Sequence, residues 1–252
     1  MADRGTHLGI VVGVDGSRGS TIAVQWAAHD AALREVPLTL VHAARTRSQR
    51  QRGQEVLDQA LQTVGTGIRV RCEMPCATPV FALADLSEHA DLVVVGCPGI
   101  SATPENQLCS VSSTLVHHAH CPVVVIHDDV QLSPESLAAP VLVGVDGSPE
   151  AELAMEIAVF EASTRGVGLI AVHAPEGSHG LDETLAALAG WTERHPDITV
   201  QQVPALADPA PELVEHATKA QLAVVSSQVT AGLAVTRVPI IVIKTSPARA
   251  RT

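Results

Sequence analysis

The stretch Ile10-Val11-Val12-Gly13-Val14-Asp15-Gly16-Ser17 decides the fold, because it occurs twice. It returns as Val141-Leu142-Val143-Gly144-Val145-Asp146-Gly147-Ser148. A short apolar run closed by Asp-Gly-Ser reads as a parallel strand, covered on both faces, that turns directly into a helix. Ser17 is placed to cap that helix, and so is Ser148, with Pro149 at the first helical position. The two copies are offset by 131 residues, and the match continues outward. Val41-His42-Ala43 returns as Val172-His173-Ala174 at the same offset. Pro79, Leu83, Ala90, Leu92 and Val94 return as Pro209, Leu213, Ala220, Leu222 and Val224 at an offset of 130. Cys121-Pro122-Val123-Val124-Val125-Ile126 aligns with Val238-Pro239-Ile240-Ile241-Val242-Ile243 at 117, so the second copy has lost 13 residues between Ser226 and Pro239. Ordered matches of this kind mark a duplicated domain. The halves are residues 1–128 and 139–252, divided in the polar stretch His127 to Ala139.

Each half reads strand, helix, strand, helix, strand. In the first, apolar spacing predicts strands at Ile10 to Val14, Leu38 to His42, Ile68 to Cys72, Leu92 to Val95 and Val123 to Ile126. Helices are expected after Ser17 and over Glu55 to Val64, Phe81 to His89 and Val111 to Ala119. In the second half a short helix near Thr230 to Val235 precedes the strand Ile240 to Ile243. Alternation of this kind predicts an α/β fold of two tandem five-stranded, doubly wound parallel sheets. Ligands of such sheets sit beyond the carboxyl ends of the strands. The last strand of each half is strongly apolar and would be an exposed edge. Pairing these strands within the chain would give an intrachain pseudo-dimer, with a homodimer of chains also open.

Composition excludes several classes. Aromatics are 2% of the chain and Tyr is absent, so the core is built from Ala, Val, Leu and Ile. Base-stacking nucleic-acid modules are disfavoured by that count. A net charge of −11, with Lys219 and Lys244 the only lysines, disfavours a general phosphate-backbone binder. No apolar run approaches the roughly 18 residues of a membrane span. Met1 to Leu8 lacks the apolar stretch of a signal peptide. Five cysteines without a C-x-x-C point to free thiols in a reducing cytoplasm.

The expected strand ends of the first half carry Asp15, His42-Ala43 and Gly96-Cys97-Pro98-Gly99, followed by a loop into Cys109-Ser110-Val111-Ser112. A glycine-bearing loop that feeds a helix N-terminus is a form of phosphate cradle. It is neither a G-x-x-x-x-G-K-[ST] loop nor a G-x-G-x-x-G fingerprint.

With these residues in place, the chain resembles the universal stress protein family in its tandem, actinobacterial form. The resemblance is carried by the doubled Val-Gly-Val-Asp-Gly-Ser, by Val-His-Ala, by Asp91-Leu92-Val93-Val94-Val95-Gly96 and by Cys121-Pro122-Val123-Val124-Val125. It implies the adenine-nucleotide α-hydrolase-like fold and a site for ATP or a related adenine nucleotide. Asp15 and Ala43 would face ribose and adenine, beside Gly13. Gly96, Gly99, Ser110, Val111 and Ser112 would hold phosphates, and magnesium would arrive only with ATP. Cys109 stands where ATP-binding members have a third glycine, which weakens the expected site. In the second half Ser226 and Val229 replace Gly96 and Gly99, and the loop is deleted, so nucleotide is expected in the first half only.

Other constellations have plainer readings. His117, His118, His120 and Cys121 supply only one i,i+4 pair, which favours a helix end over a metal site. Cys97 and Cys109 bracket the loop and could form a redox pair, though inert packing is the simpler reading. Arg45, Arg47, Arg50 and Arg52 could lean over the site, but they read more simply as a solvated loop. No nucleophile–base–orienter set is legible. The expectation is therefore a cytoplasmic stress-response regulator with an unknown protein partner, not an enzyme. Its rivals are a nucleotide-independent interaction module and an α-hydrolase-like hydrolase.

Overall fold

The computed structural model describes residues 7–98, 110–145, 148–173, 181–205, 209–226 and 236–244. The chain divides into two compact units, Met1–Asp129 and Val130–Thr252.

In the first unit, β1 (Gly9–Gly13) leads through Asp15-Gly16 into α1 (Arg18–Leu33). Ser17 caps the helix, its hydroxyl accepting from the Ser20 amide at 3.1 Å. Then come β2 (Leu38–Val41), α2 (Arg47–Thr63), β3 (Val70–Glu73) and α3 (Pro79–Leu86). A 3-10 turn over Ser87–His89 precedes β4 (Ala90–Cys97), α4 (Ser110–His118) and β5 (Val123–His127). The strands are parallel and ordered β3-β2-β1-β4-β5. The chain runs outward one way from β1 and then restarts beside it, so a crevice opens between the carboxyl ends of β1 and β4.

Two glycines show that helices cover both faces. Gly13 is paired with Val95 in the β1–β4 register, and a Cβ on Gly13 would meet Leu83 Cδ1 of α3 at 3.1 Å. Gly96 points the other way. A Cβ there would lie 2.3 Å from the Gly19 carbonyl carbon and 2.4 Å from the Ser20 nitrogen of α1. The core is aliphatic, as expected, with Ile10, Leu38, Leu40, Leu57, Leu115 and Ile126 fully buried.

The second unit begins with the short helix α5 (Pro134–Leu137) and runs β6 (Val141–Val145), α6 (Pro149–Arg165), β7 (Leu169–His173), α7 (Leu181–Arg194), β8 (Val200–Pro204), α8 (Pro209–Ala217), β9 (Leu222–Ser226) and β10 (Ile240–Ile243). Its parallel order, β10-β9-β6-β7-β8, repeats that of the first unit. Ser148 caps α6 through the Ala151 amide at 3.2 Å, and Gly166 ends the helix in the left-handed region. Duplication extends to single contacts: a Cβ on Gly144 would meet Leu213 Cδ1 at 3.0 Å, repeating Gly13 and Leu83. Arg34 is bound to Asp30 at 2.8 Å within α1, and Arg165 to Glu161 at the matching turn of α6.

Three expectations need correction. The second helix of the first unit starts at Arg47, not Glu55, so Arg47, Arg50 and Arg52 are helical rather than part of a loop. A capping box holds that start: the Thr46 hydroxyl accepts from the Gln49 amide at 3.2 Å, and Gln49 Oε1 accepts from the Thr46 amide at 3.0 Å. Trp191, which the sequence pattern of Leu181, Leu185 and Leu188 places after its helix as a core or inter-helix anchor, instead lies within α7 and is half-buried, stacked on His195 with Arg194 over its ring. Finally, the thiols are not uniformly free: Cys72, Cys76 and Cys121 are, whereas Cys97 is disulfide-bonded. The short helix expected near Thr230 to Val235 lies outside the described residues.

Candidate functional site

The carboxyl ends of β1, β2 and β4 surround a cavity of about 270 Å³. Gly13, Asp15, Ala43, Gly96 and Val111, all expected at the site, line it. Ser112 does not. It is fully buried, with its hydroxyl 3.2 Å from the Cys97 sulfur, and so belongs to the packing of α4 on β4. Ser110 opens α4. Gly99 and Cys109 lie outside the described residues, as do Asp146 and Ala174 of the second unit.

Asp15 forms an Asx turn: the Ser17 amide donates to its Oδ1 at 2.9 Å. Gly16 completes the turn at φ +83°, a conformation that costs glycine little. Partial burial is the largest single influence on the carboxyl and acts to raise its pKa. Hydrogen bonds from the Ser17 hydroxyl and amide and from Ser20 outweigh it together, so the pKa is lowered. The side chain is exposed at the mouth of the cavity. Asp15 thus shapes the strand-to-helix turn and also offers a carboxylate to a ligand hydroxyl.

The residues that were not singled out as ligand contacts are the side walls. His42 lines the cavity, and its Nδ1–H donates to the Val14 carbonyl at 2.7 Å. Its Nε2 is left as an acceptor when the ring is neutral. Gly53 of α2 allows the ring to sit there, since a Cβ at that position would lie 2.4 Å from His42 Cδ2. Leu83 and Pro79 of α3, Val95 of β4 and Pro98 just beyond that strand complete an apolar wall. The repeated Val-His-Ala was a signal for His42. Nothing in the sequence announced Leu83 or Pro79 as walls, because their apolar spacing is equally that of a buried helix face.

The glycine at position 96 has a packing reason of its own. Backbone-to-backbone approach of α1 and β4 forbids a side chain there whether or not phosphate binds. His117, His118, His120 and Cys121 form no metal site: among the described residues no group of three or more His, Cys, Asp or Glu could hold an ion. Burial, with a smaller push from Asp91, raises the Cys121 thiol to about 12, which disfavours the thiolate a metal would need. Among the described residues, no helix is long and apolar enough to cross a membrane.

Two α/β units of one strand order, the first enclosing a small-molecule-sized cavity at its strand ends, define the class. Comparison with known proteins then supplies the family. The model of the universal stress protein family matches residues 9–64 and 47–127. The universal stress protein Rv2623 of Mycobacterium tuberculosis is 41% identical over 93% of this chain and 91% of its own length. The universal stress protein Rv2005c of the same organism is 40% identical, covering 89% and 88%. A universal stress protein structure from Archaeoglobus fulgidus superposes with a TM-score of 0.76 at 19% identity, covering 95% of this chain and 97% of that one. The chain belongs to the universal stress protein family.

Proposed function

We propose that this protein is a cytoplasmic regulator of the stress response, not an enzyme, that holds one adenine nucleotide in its first unit. The observation that carries the reading is the cavity of about 270 Å³ at the carboxyl ends of β1, β2 and β4, with Asp15 at its mouth. That volume is just under the roughly 300–1,000 Å³ usual for small-molecule sites, which suits one nucleoside rather than a dinucleotide. The apolar wall of Val95, Leu83 and Pro98 suits a flat base. Asp15 and the Ala43 backbone supply polar partners for ribose and base edges, and His42 Nε2 offers a further acceptor. Magnesium would enter only with a triphosphate.

Calorimetry of the purified protein with adenosine, AMP and ATP tests this reading. One equivalent is expected, abolished by Asp15→Ala and retained by Asp146→Ala. Equal losses from both substitutions would refute a single site. No binding at millimolar concentration would leave the other reading, a duplicated fold kept for its surfaces.

A further inference from the structure

The start of α2 is built against its own electrostatics. Arg47, Arg50 and Arg52 occupy its first turns, which carry no acidic residue, although a helix N-terminus disfavours positive charge. Residues 36–54 include four arginines and no Asp or Glu, in a chain of net charge −11. All four are exposed, and among the described residues none has an ion pair or a hydrogen bond through its guanidinium. Arg34 and Arg165, by contrast, are paired within their helices. A local rule broken without internal compensation points to a partner outside the chain.

The packing of α2 aims part of this cluster at the cavity. Gly53 lies against His42, and Val56 Cγ2 is 3.2 Å from where a Cβ of Gly16 would sit. Arg50 is three residues before Gly53, which lies against the cavity-lining His42, and Arg52 is four before Val56, which faces Gly16 between the cavity-lining Asp15 and Ser17. Arg47, nine residues before Val56 and six before Gly53, lies half a turn and a third of a turn round the helix from those two contacts. The helix begins at Arg47, four residues beyond the cavity-lining Ala43.

We propose that Arg50 and Arg52 form a cationic rim for the phosphate chain of a ligand whose nucleoside part fills the cavity. The site then grades its ligands by phosphate count. This rests on the nucleotide reading above and assigns the charge recognition that the loop Ser101 to Gln107, which lacks Lys and Arg, does not carry in its sequence.

The test is calorimetry of adenosine, AMP and ATP with the full chain, with Arg50→Gln/Arg52→Gln and with Arg47→Gln, at low salt and at 0.3 M salt. Affinity should rise about tenfold or more from adenosine to ATP in the parent protein. That increment should shrink with salt, survive Arg47→Gln and vanish in the double variant, while adenosine affinity stays unchanged. The double variant should also melt no lower than the parent, since it relieves an unfavourable charge; a lower Tm would indicate a structural role and overturn the assignment. An undiminished increment in the double variant overturns the rim alone, as does adenosine binding with no increment in the parent. Failure of adenosine itself to bind overturns the pocket reading and the rim with it.

Discussion

His42 Nδ1 donates to the Val14 carbonyl oxygen at 2.7 Å, and this bond ties the end of β2 to the turn that leaves β1. Both residues line the cavity, so the bond holds two of its walls in register. His42→Ala should destabilise the protein by about 1 kcal/mol through the lost hydrogen bond, plus the void left beneath α2. Gly53→Ala should act in the same direction despite the better helix propensity of alanine, because its Cβ displaces the ring. Urea denaturation of both variants checks this; a Gly53→Ala protein more stable than the parent would refute the contact.

The lowered pKa of Asp15 carries a pH dependence. Its carboxylate contributes stability above the unfolded value near 3.8, and that contribution is lost as pH falls through the depressed folded pKa. In Asp15→Asn the side-chain oxygen still accepts from the Ser17 amide, but the charge is gone. Denaturation midpoints from pH 7 to pH 3 should therefore fall less steeply for Asp15→Asn than for the parent. Parallel profiles would show that the charge does no work in the turn.

Gly96→Ala should be severely destabilising, since its Cβ would lie 2.4 Å or less from α1 backbone atoms that no side-chain rotation can clear. Overpacking typically costs 1–3 kcal/mol, and a backbone clash belongs at or above the upper end, so a loss of about 3 kcal/mol is expected. Gly65→Ala, with nothing within 4 Å, is the control and should be close to neutral. Thermal melts of the two variants side by side decide the point.

The cysteines should separate by reactivity. At pH 8, Cys76 and Cys72 are exposed and should alkylate in the native protein, Cys72 more slowly because partial burial and nearby Asp58 and Glu73 raise its pKa. Cys121, raised to about 12, should label only on unfolding. Cys97 should label only after reduction. Peptide mapping by mass spectrometry reads all four; native labelling of Cys121 would contradict its burial.

Breaking the buried pair in α1 with Arg34→Met takes the guanidinium away from the fully buried Asp30 carboxylate and should cost about 3 kcal/mol. Arg165→Met, at the matching turn of α6, should cost a similar amount. Chemical denaturation of each variant measures both.

The topology was legible because apolar runs of strand length alternate with helical spacing, and because the doubled Gly-Val-Asp-Gly-Ser joins the first strand to the first long helix of both halves. The start of α2 was not, since residues 45–54 have no apolar period to follow. Thr46 and Gln49 did carry the signature of a capping box, three residues apart, and a reading by caps rather than by periodicity would have found it. Five of the expected site residues came together because strand order alone places Gly13, Asp15, Ala43 and Gly96 at one edge, with Val111 opposite. Leu83, Pro79 and the His42–Gly53 contact depend on how helices lie across strands, which pattern does not encode.

The approach of Gly19 to Gly96 has a consequence for how such a protein can diverge. Where two backbones touch, the alphabet shrinks to one letter, and the floor of the cavity is closed to mutation as long as the fold is kept. Any change in ligand preference has to be written elsewhere, on the rim and the side walls, at positions such as Asp15, His42, Leu83 and the arginines of α2. A lineage could retune or abandon the ligand entirely while these two glycines stayed unchanged, so their presence in a descendant would testify to ancestry and architecture, and be silent about what is bound.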